Sequence, residues 1–269
     1  MTTNDYVHGY SERERQRLHD QSQTLAELLH HDTIYPAGSH VLEAGCGVGA
    51  QTVILARNNP QARFTSIDAS PASIAAARAA VGRAGLGNVT FQAADIFQLP
   101  FPEASFDHVF VCFVLEHLRQ PGEALRCLRA ALKPGGTLTV IEGDHGSTFF
   151  HPLSDAAWRT IQCLIDVQAA MGGNALIGRA LYPLLLSAGF PDIEVSPRFV
   201  YVDASRPAWV EGFTRNTYIA MVEGVREQAL AMGLITRPDW DKGISNLKAS
   251  AGPNGTFCYT FFKAVTVKP

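Results

Sequence analysis

The sequence predicts an α/β protein built on an open, doubly wound parallel sheet, and three features carry that expectation. Strand-like and helix-like hydrophobic patterns alternate five times between Val41 and Glu142. The stretch Val41–Thr52, VLEAGCGVGAQT, joins a short strand to a helix through glycines 45, 47 and 49. The run Phe106–Phe113 is almost continuously apolar, as expected of a central parallel strand buried on both faces. In such sheets ligands bind outside the carboxyl ends of the strands, so the candidate site is sought there.

Bulk composition narrows the function classes. A chain of 269 residues can bury roughly three quarters of its unfolded surface, enough for one core without staples. With 22 basic and 25 acidic residues the formal charge is -3, which leaves no basic excess to steer the chain toward nucleic acid or an anionic membrane. The five cysteines, at 46, 112, 127, 163 and 258, include no CxxC pair and suggest neither a disulfide framework nor zinc. They fit a reducing cytoplasm. The polar start MTTNDYVHGYSERER has no apolar leader core, and no apolar run approaches the length of a membrane span. A cytoplasmic, unprocessed protein acting on a small molecule is the expectation.

Taken in order, Ser11-Glu12-Arg13-Glu14 reads as a capping box that starts a helix running to about His31, with Leu18, Leu25, Leu28 and Leu29 on one stripe. Tyr6 and Tyr10 precede it, and residues 1–40 are expected to form a helical lid that lays a tyrosine over cofactor or substrate. A ring over a cationic sulfur would gain about 0.5–2 kcal/mol. The glycine turn then lets the backbone come close to a ligand while the amides of the following helix face an anionic group. Glu43, two residues before Gly45, suits an ammonium better than a pyrophosphate. That combination favours S-adenosylmethionine, although GxGxx(G/A) with Ala50 also fits a dinucleotide, and a plain tight turn is the bland alternative.

Arg63–Asp68 is the second strand, and Asp68 lies at the distance from Gly45 where a carboxylate meets ribose hydroxyls. Ser70-Pro71 supplies a cap and first position for the next helix. Val89–Ala93 is the third strand, closed by Asp95, suited to an adenine amino group, and Ile96, suited to the ring. After the fourth strand comes Val114-Leu115-Glu116-His117. Pro121–Leu132 is a helix, Lys133–Gly136 a turn, and Thr137–Glu142 the fifth strand.

Jointly, VLEAGCGVG, SIDAS, AADIFQLPF, FDHVFVCFVLEHL and LRAALKPGGTLTVIE resemble the class I S-adenosylmethionine-dependent methyltransferases, specifically their small-molecule, natural-product branch. The resemblance covers Val41 to Glu142. It implies a Rossmann-like sheet of seven strands with the last inserted antiparallel. It also implies that Gly45 and Gly47 pass under the methionine moiety, that Asp68 takes the ribose, and that Asp95 and Ile96 frame the adenine. Phe113 and His117 are then expected near the sulfonium. Tyr10, Glu43, Thr52 and Ala69 complete the expected cofactor set. Beyond residue 145 the same plan makes Leu176–Gly189 a sheet-packing helix, Ile193–Val202 strand six and Thr256–Val267 strand seven. Residues 41–145 are thus the cofactor core and 146–269 the rest of the same domain. Helical roof insertions are expected at about 146–174 and 204–252, the latter carrying Trp209, Phe213, Tyr218, Met221, Met232 and Trp240.

Methyl transfer from a sulfonium needs nucleophile and methyl carbon held in line about 3–3.5 Å apart. A base is needed only where a proton must leave early. His145, His117 and Tyr10 are the candidate catalytic groups, since an imidazole near its ordinary pKa of about 6.5 accepts a phenol or ring proton at neutral pH. Tyr6, Glu142, Asp144, His145, Trp209 and Phe213 are the candidate substrate contacts. No metal is expected, because no His, Asp or Glu set has ligand spacing. The expected chemistry is methylation of a small, partly apolar or aromatic metabolite in specialised metabolism. The alternatives are C-methylation of an indole or similar electron-rich ring, a module that binds the cofactor without turnover, or a nicotinamide oxidoreductase. No nucleic-acid or membrane partner is expected, and a homodimer or higher homo-oligomer is a further expectation.

Overall fold

The computed structural model of the protein describes residues 24–269. The expected capping box, Leu18, Tyr6 and Tyr10 therefore lie outside the described residues. Helix α1 is described over residues 24–30, and its stripe is real there: Leu25 and Leu29 are buried and Leu28 is half-buried.

Seven strands form one sheet, β1 (His40–Ala44), β2 (Arg63–Asp68), β3 (Val89–Ala93), β4 (Phe106–Cys112), β5 (Leu132–His151), β6 (Asp192–Asp203) and β7 (Thr256–Val267). Their order is β3-β2-β1-β4-β5-β7-β6. The first five run parallel, and β7 enters antiparallel between β5 and β6. The crossovers are α2 (Ala50–Asn58), α3 (Pro71–Arg83) and α4 (Pro121–Ala131). The order reverses at β1, so the clefts above β1 and β4 are where a ligand belongs. Ser70 caps α3 by accepting from the Ser73 amide, with Pro71 in the first turn, as Ser-Pro at that place requires.

Strand β5 is longer than the sequence predicts. It begins at Leu132, taking in the expected turn 133–136, and does not end at Glu142 but continues to His151; it pairs with β7 over 137–144 and 149–151, the register breaking between Asp144 and Phe149. Expected roof residues 146–151 are therefore sheet, because β7 offers a long antiparallel partner. Helix α5 (Asp155–Ala170) follows, capped by Ser154. The expected helix over 176–189 splits into a 3₁₀ turn, Ile177–Ala180, and α6 (Leu181–Ser187). The second insertion is helical as expected. It begins as α7 (Pro207–Trp209), continues as a π-wound segment (Val210–Ile219) and ends as α8 (Ala220–Gly224), followed by α9 (Arg226–Ala231) and α10 (Arg237–Ala249). Trp240 and Leu247 of α10 are buried in the cluster that contains Ile161 and Leu164 of α5. No helix among the described residues is long and apolar enough to cross a membrane.

Alternation along β7 puts Phe257, Tyr259, Phe261 and Lys263 on one side of the sheet. All four are almost fully buried. Lys263 donates to Asp32 Oδ1 at 2.6 Å and Thr33 Oγ1 at 2.8 Å, tying the chain after α1 to the sheet. Nearby, His30 is fully buried with Nε2 2.7 Å from Gln51 Oε1. Burial lowers its pKa from 6.5 to about 4, with the Gln51 bond opposing. The native state holds this ring neutral, so its stabilisation is complete above pH 6.5 and is lost as pH falls toward 4. That window corresponds to about 3 kcal/mol. Urea midpoints measured from pH 7 to pH 4 are expected to fall less steeply for His30→Gln than for the native chain, and equal slopes would contradict this.

Candidate functional site

The glycine turn is stitched to the end of β2. The amides of Gly45 and Cys46 both donate to Ile67 O, at 2.8 and 2.9 Å, and the Gly47 amide donates to Asp68 Oδ2 at 2.9 Å. Gly45, Gly47 and Gly49 all have positive φ, +78°, +52° and +82°. Each is also tested by space. A Cβ on Gly45 would stand 2.4 Å from Val114 Cγ2 and one on Gly49 2.8 Å from Ala77 Cα, whereas one on Gly47 meets nothing within 4 Å. Gly47 thus leaves room on the ligand side of the turn. Helix α2 opens with no side-chain cap and no acidic residue in its first turn. Its first amides are oriented toward an anion such as a carboxylate.

Asp68, at the carboxyl end of β2, also accepts from the Ser70 amide at 2.9 Å. Burial raises its pKa, and the Ser70 and Gly47 amides oppose the shift. Ala69 beside it is exposed, as is Asp95 beyond β3, whose Oδ1 accepts from the Phe97 amide; Ile96 is half-buried. Together these residues line the carboxyl ends of β1, β2 and β3, and they make up the cradle expected for the carboxylate, ribose and adenine of an adenosyl amino acid. Two expected members lie beneath it instead. Glu43 is 2 % exposed and accepts from Ser66 Oγ at 2.6 Å, so it presents almost no surface to an ammonium. Its burial raises its pKa to about 7, against the Ser66 bond. Thr52 is fully buried against the same region, because the first turn of α2 packs that face onto the sheet.

Beside the cradle, the turn after β4 is held in an uncommon shape. Phe113 has φ of +58°, unusual for a residue with a side chain, and its amide donates to Ile141 O at 2.9 Å. The next two amides, of Val114 and Leu115, both donate to Glu142 Oε1, at 3.0 and 2.7 Å. A 3₁₀ turn, Leu115–His117, follows. His117 Nε2 lies 3.6 Å from Glu116 Oε1, and Gln168 of α5 donates to both Glu116 O and Oε2. Glu142 is therefore the anchor of this turn and not a substrate contact, because the amides of Val114 and Leu115 both take its Oε1. Asp144 is likewise committed, since Arg179 grips its two oxygens at 2.6 and 2.8 Å and the Gly146 amide adds a third bond.

His145 points to the opposite side of the sheet from Asp144, as strand alternation demands. Its Nδ1 is 2.8 Å from Tyr259 Oη, and its ring lies edge-on to Tyr218 at 6.0 Å. From there a row of rings leads back to the turn after β4: Tyr259 to Phe261 at 4.7 Å, and Phe261 to Phe113 at 5.4 Å. Phe213 packs over Phe257, Tyr259 and Phe261 and is 1 % exposed, so it is core of the roof; Trp209 is half-buried under Arg206. Tyr259 and Gln168 were not singled out by sequence reasoning, and Tyr218 only as one of the roof aromatics. For Tyr259 a signal existed: a tyrosine in the buried phase of a strand needs a partner for its hydroxyl.

Comparison with known proteins places the chain among relatives. The family described as "Methyltransferase domain" matches residues 42–140. A protein of Streptomyces fradiae, described as an uncharacterized 37.1 kDa protein in transposon TN4556, is 31% identical over 86% of this chain, which spans 61% of that protein's length. The 27-O-demethylrifamycin SV methyltransferase of Amycolatopsis mediterranei is 31% identical over 83% of this chain and 76% of its own. Among solved structures, Haemonchus contortus phosphoethanolamine N-methyltransferase 2 in complex with S-adenosyl-L-methionine shares the fold. Its TM-score is 0.56 at 18% identity, over 93% of this chain and 52% of that one.

Proposed function

The chain belongs to the class I S-adenosylmethionine-dependent methyltransferases, and from that premise we propose that it methylates a hydroxyl of a small, partly apolar or aromatic metabolite. The observation that supports this most is the contact between the two halves of the site. Val114, under Gly45 of the cradle, and Phe113, at the head of the aromatic row to His145, are neighbours on one turn. An acceptor lying along that row stands beside the cradle. Oxygen as acceptor is supported by the rifamycin relative, whose name specifies one.

In this reading the cofactor supplies an electrophilic methyl group on a sulfonium that departs as a neutral thioether. Gly45, Gly47 and the first turn of α2 hold its amino-acid end, Asp68 the ribose, and Asp95 with Ile96 the adenine. Phe113 excludes water and orients the acceptor, the buried β7 rings back it, and His145 contacts the acceptor atom. Alignment supplies most of the rate, up to roughly 7–11 kcal/mol. Incubation with methyl-labelled cofactor and a panel of phenols, enols and alcohols tests this, with label expected on a hydroxyl of an aromatic or enolic member. Label confined to carbon or nitrogen, or absent from all members, refutes the reading. For the cradle, Asp68→Asn is expected to weaken S-adenosylhomocysteine binding about 10- to 100-fold by calorimetry, the worth of charge-assisted bonds to ribose. Unchanged affinity would remove Asp68 from the ribose.

A further inference from the structure

Tyr259 is the least expected part of the site. It is 2 % exposed, and its hydroxyl rests on Gly143 of β5, where a Cβ would come within 2.3 Å of it. Only glycine at 143 allows the phenol to reach His145 Nδ1 at 2.8 Å. Burial pushes the hydroxyl well above its ordinary range, so the phenol keeps its proton. A buried hydroxyl proton needs an acceptor, and the hydrogen-bond partner of this hydroxyl among the described residues is His145 Nδ1, so the proton is placed there.

We propose that Tyr259 is a positioning residue that holds the His145 imidazole with Nδ1 as acceptor and the proton on Nε2, so that His145 meets the methyl acceptor as a hydrogen-bond donor and not as a base. The proposal rests on the reading that His145 contacts the acceptor atom. A neutral ring fixed this way has no lone pair at Nε2 to take a hydroxyl proton. It stabilises an oxygen that is already anionic. The substrate class narrows accordingly to acidic hydroxyls, phenols or enols that ionise before transfer. The oxygen lone pair then forms the new C–O bond while the C–S bond breaks with its electrons remaining on sulfur, and no proton passes to the protein in that step.

Nitrogen-15 spectra of the imidazoles, with His145 assigned by comparison with His145→Gln, read the tautomer directly without any substrate. The native protein is expected to show His145 Nδ1 in the unprotonated range and Nε2 in the protonated range. Tyr259→Phe, which removes the hydroxyl, and Gly143→Ala, which displaces it, are each expected to collapse that separation toward a mixture of tautomers. A protonated Nδ1 in the native spectrum overturns the proposal, as does an unchanged tautomer in Tyr259→Phe; should both variants fail to fold, the native spectrum alone decides. Failure of the functional reading would show elsewhere, in the labelling panel, and would leave the tautomer as found.

Discussion

Gly45→Ala is expected to reduce affinity for S-adenosylhomocysteine by at least about 30-fold while the protein remains folded. Two costs add at this position. A side chain at φ +78° costs about 1–2 kcal/mol relative to glycine. The new Cβ would also overlap Val114 Cγ2 at 2.4 Å, and relief by displacement of packed atoms costs about 1–3 kcal/mol more. Neither can be relieved locally, because the Gly45 and Cys46 amides are pinned to Ile67 O and Val114 is pinned through its amide to Glu142. The turn must therefore move, and the ligand-side surface moves with it. Gly38→Ala is the control, since it has the same kind of strain, φ +82°, with nothing within 4 Å and no part in the cradle. It is expected to lower the melting temperature by a few degrees and leave affinity unchanged. Calorimetric titration of both variants decides; native-like affinity in Gly45→Ala would mean the turn is not the cofactor contact.

What the sequence reveals and what it hides divide along the range of the interactions involved. The glycine turn, the Ser70-Pro71 start of α3 and the apolar run of β4 are written in short-range pattern, and each is found where pattern places it, whereas the span of β7 rests on the family resemblance. The continuation of β5 past Glu142 is not, because Gly143-Asp144-His145-Gly146 reads as a loop until β7 lies alongside it. The same holds for roles. Glu43 and Glu142 both sit at strand ends, where a carboxylate suggests a ligand contact. Which way each faces depends on Ser66 from β2 in one case and on the amides of the β4 turn in the other. Tyr259 is 114 residues from the histidine it touches, and no local rule joins them.

Glu142 is also where the second large effect is expected, through the strained turn that it holds. A positive φ at Phe113 persists only when the surroundings over-determine it. The surroundings here are the Ile141 carbonyl and the one Glu142 oxygen that accepts from both Val114 and Leu115. Glu142→Ala leaves two buried amides without that acceptor and opens a cavity beneath them, and is expected to cost about 2–5 kcal/mol. Because Val114 also packs against Gly45, cofactor affinity should fall together with stability. Glu142→Gln behaves differently for a reason that fixes the sign of its pH dependence. Burial, and then the charge of Glu116, raise the Glu142 carboxyl well above the ordinary range, while the backbone amides oppose the shift. The folded state therefore binds a proton that the unfolded chain releases, and the associated stability is present at acid pH and lost as pH rises through the raised pKa. A glutamine keeps an oxygen for the two amides and carries no such charge. Its variant should match the native chain near pH 5 and exceed it at pH 8 in thermal melts, with the alanine variant below both throughout. Alanine and glutamine variants of equal stability across that range would show that the β4 turn is held by something other than this carboxyl oxygen.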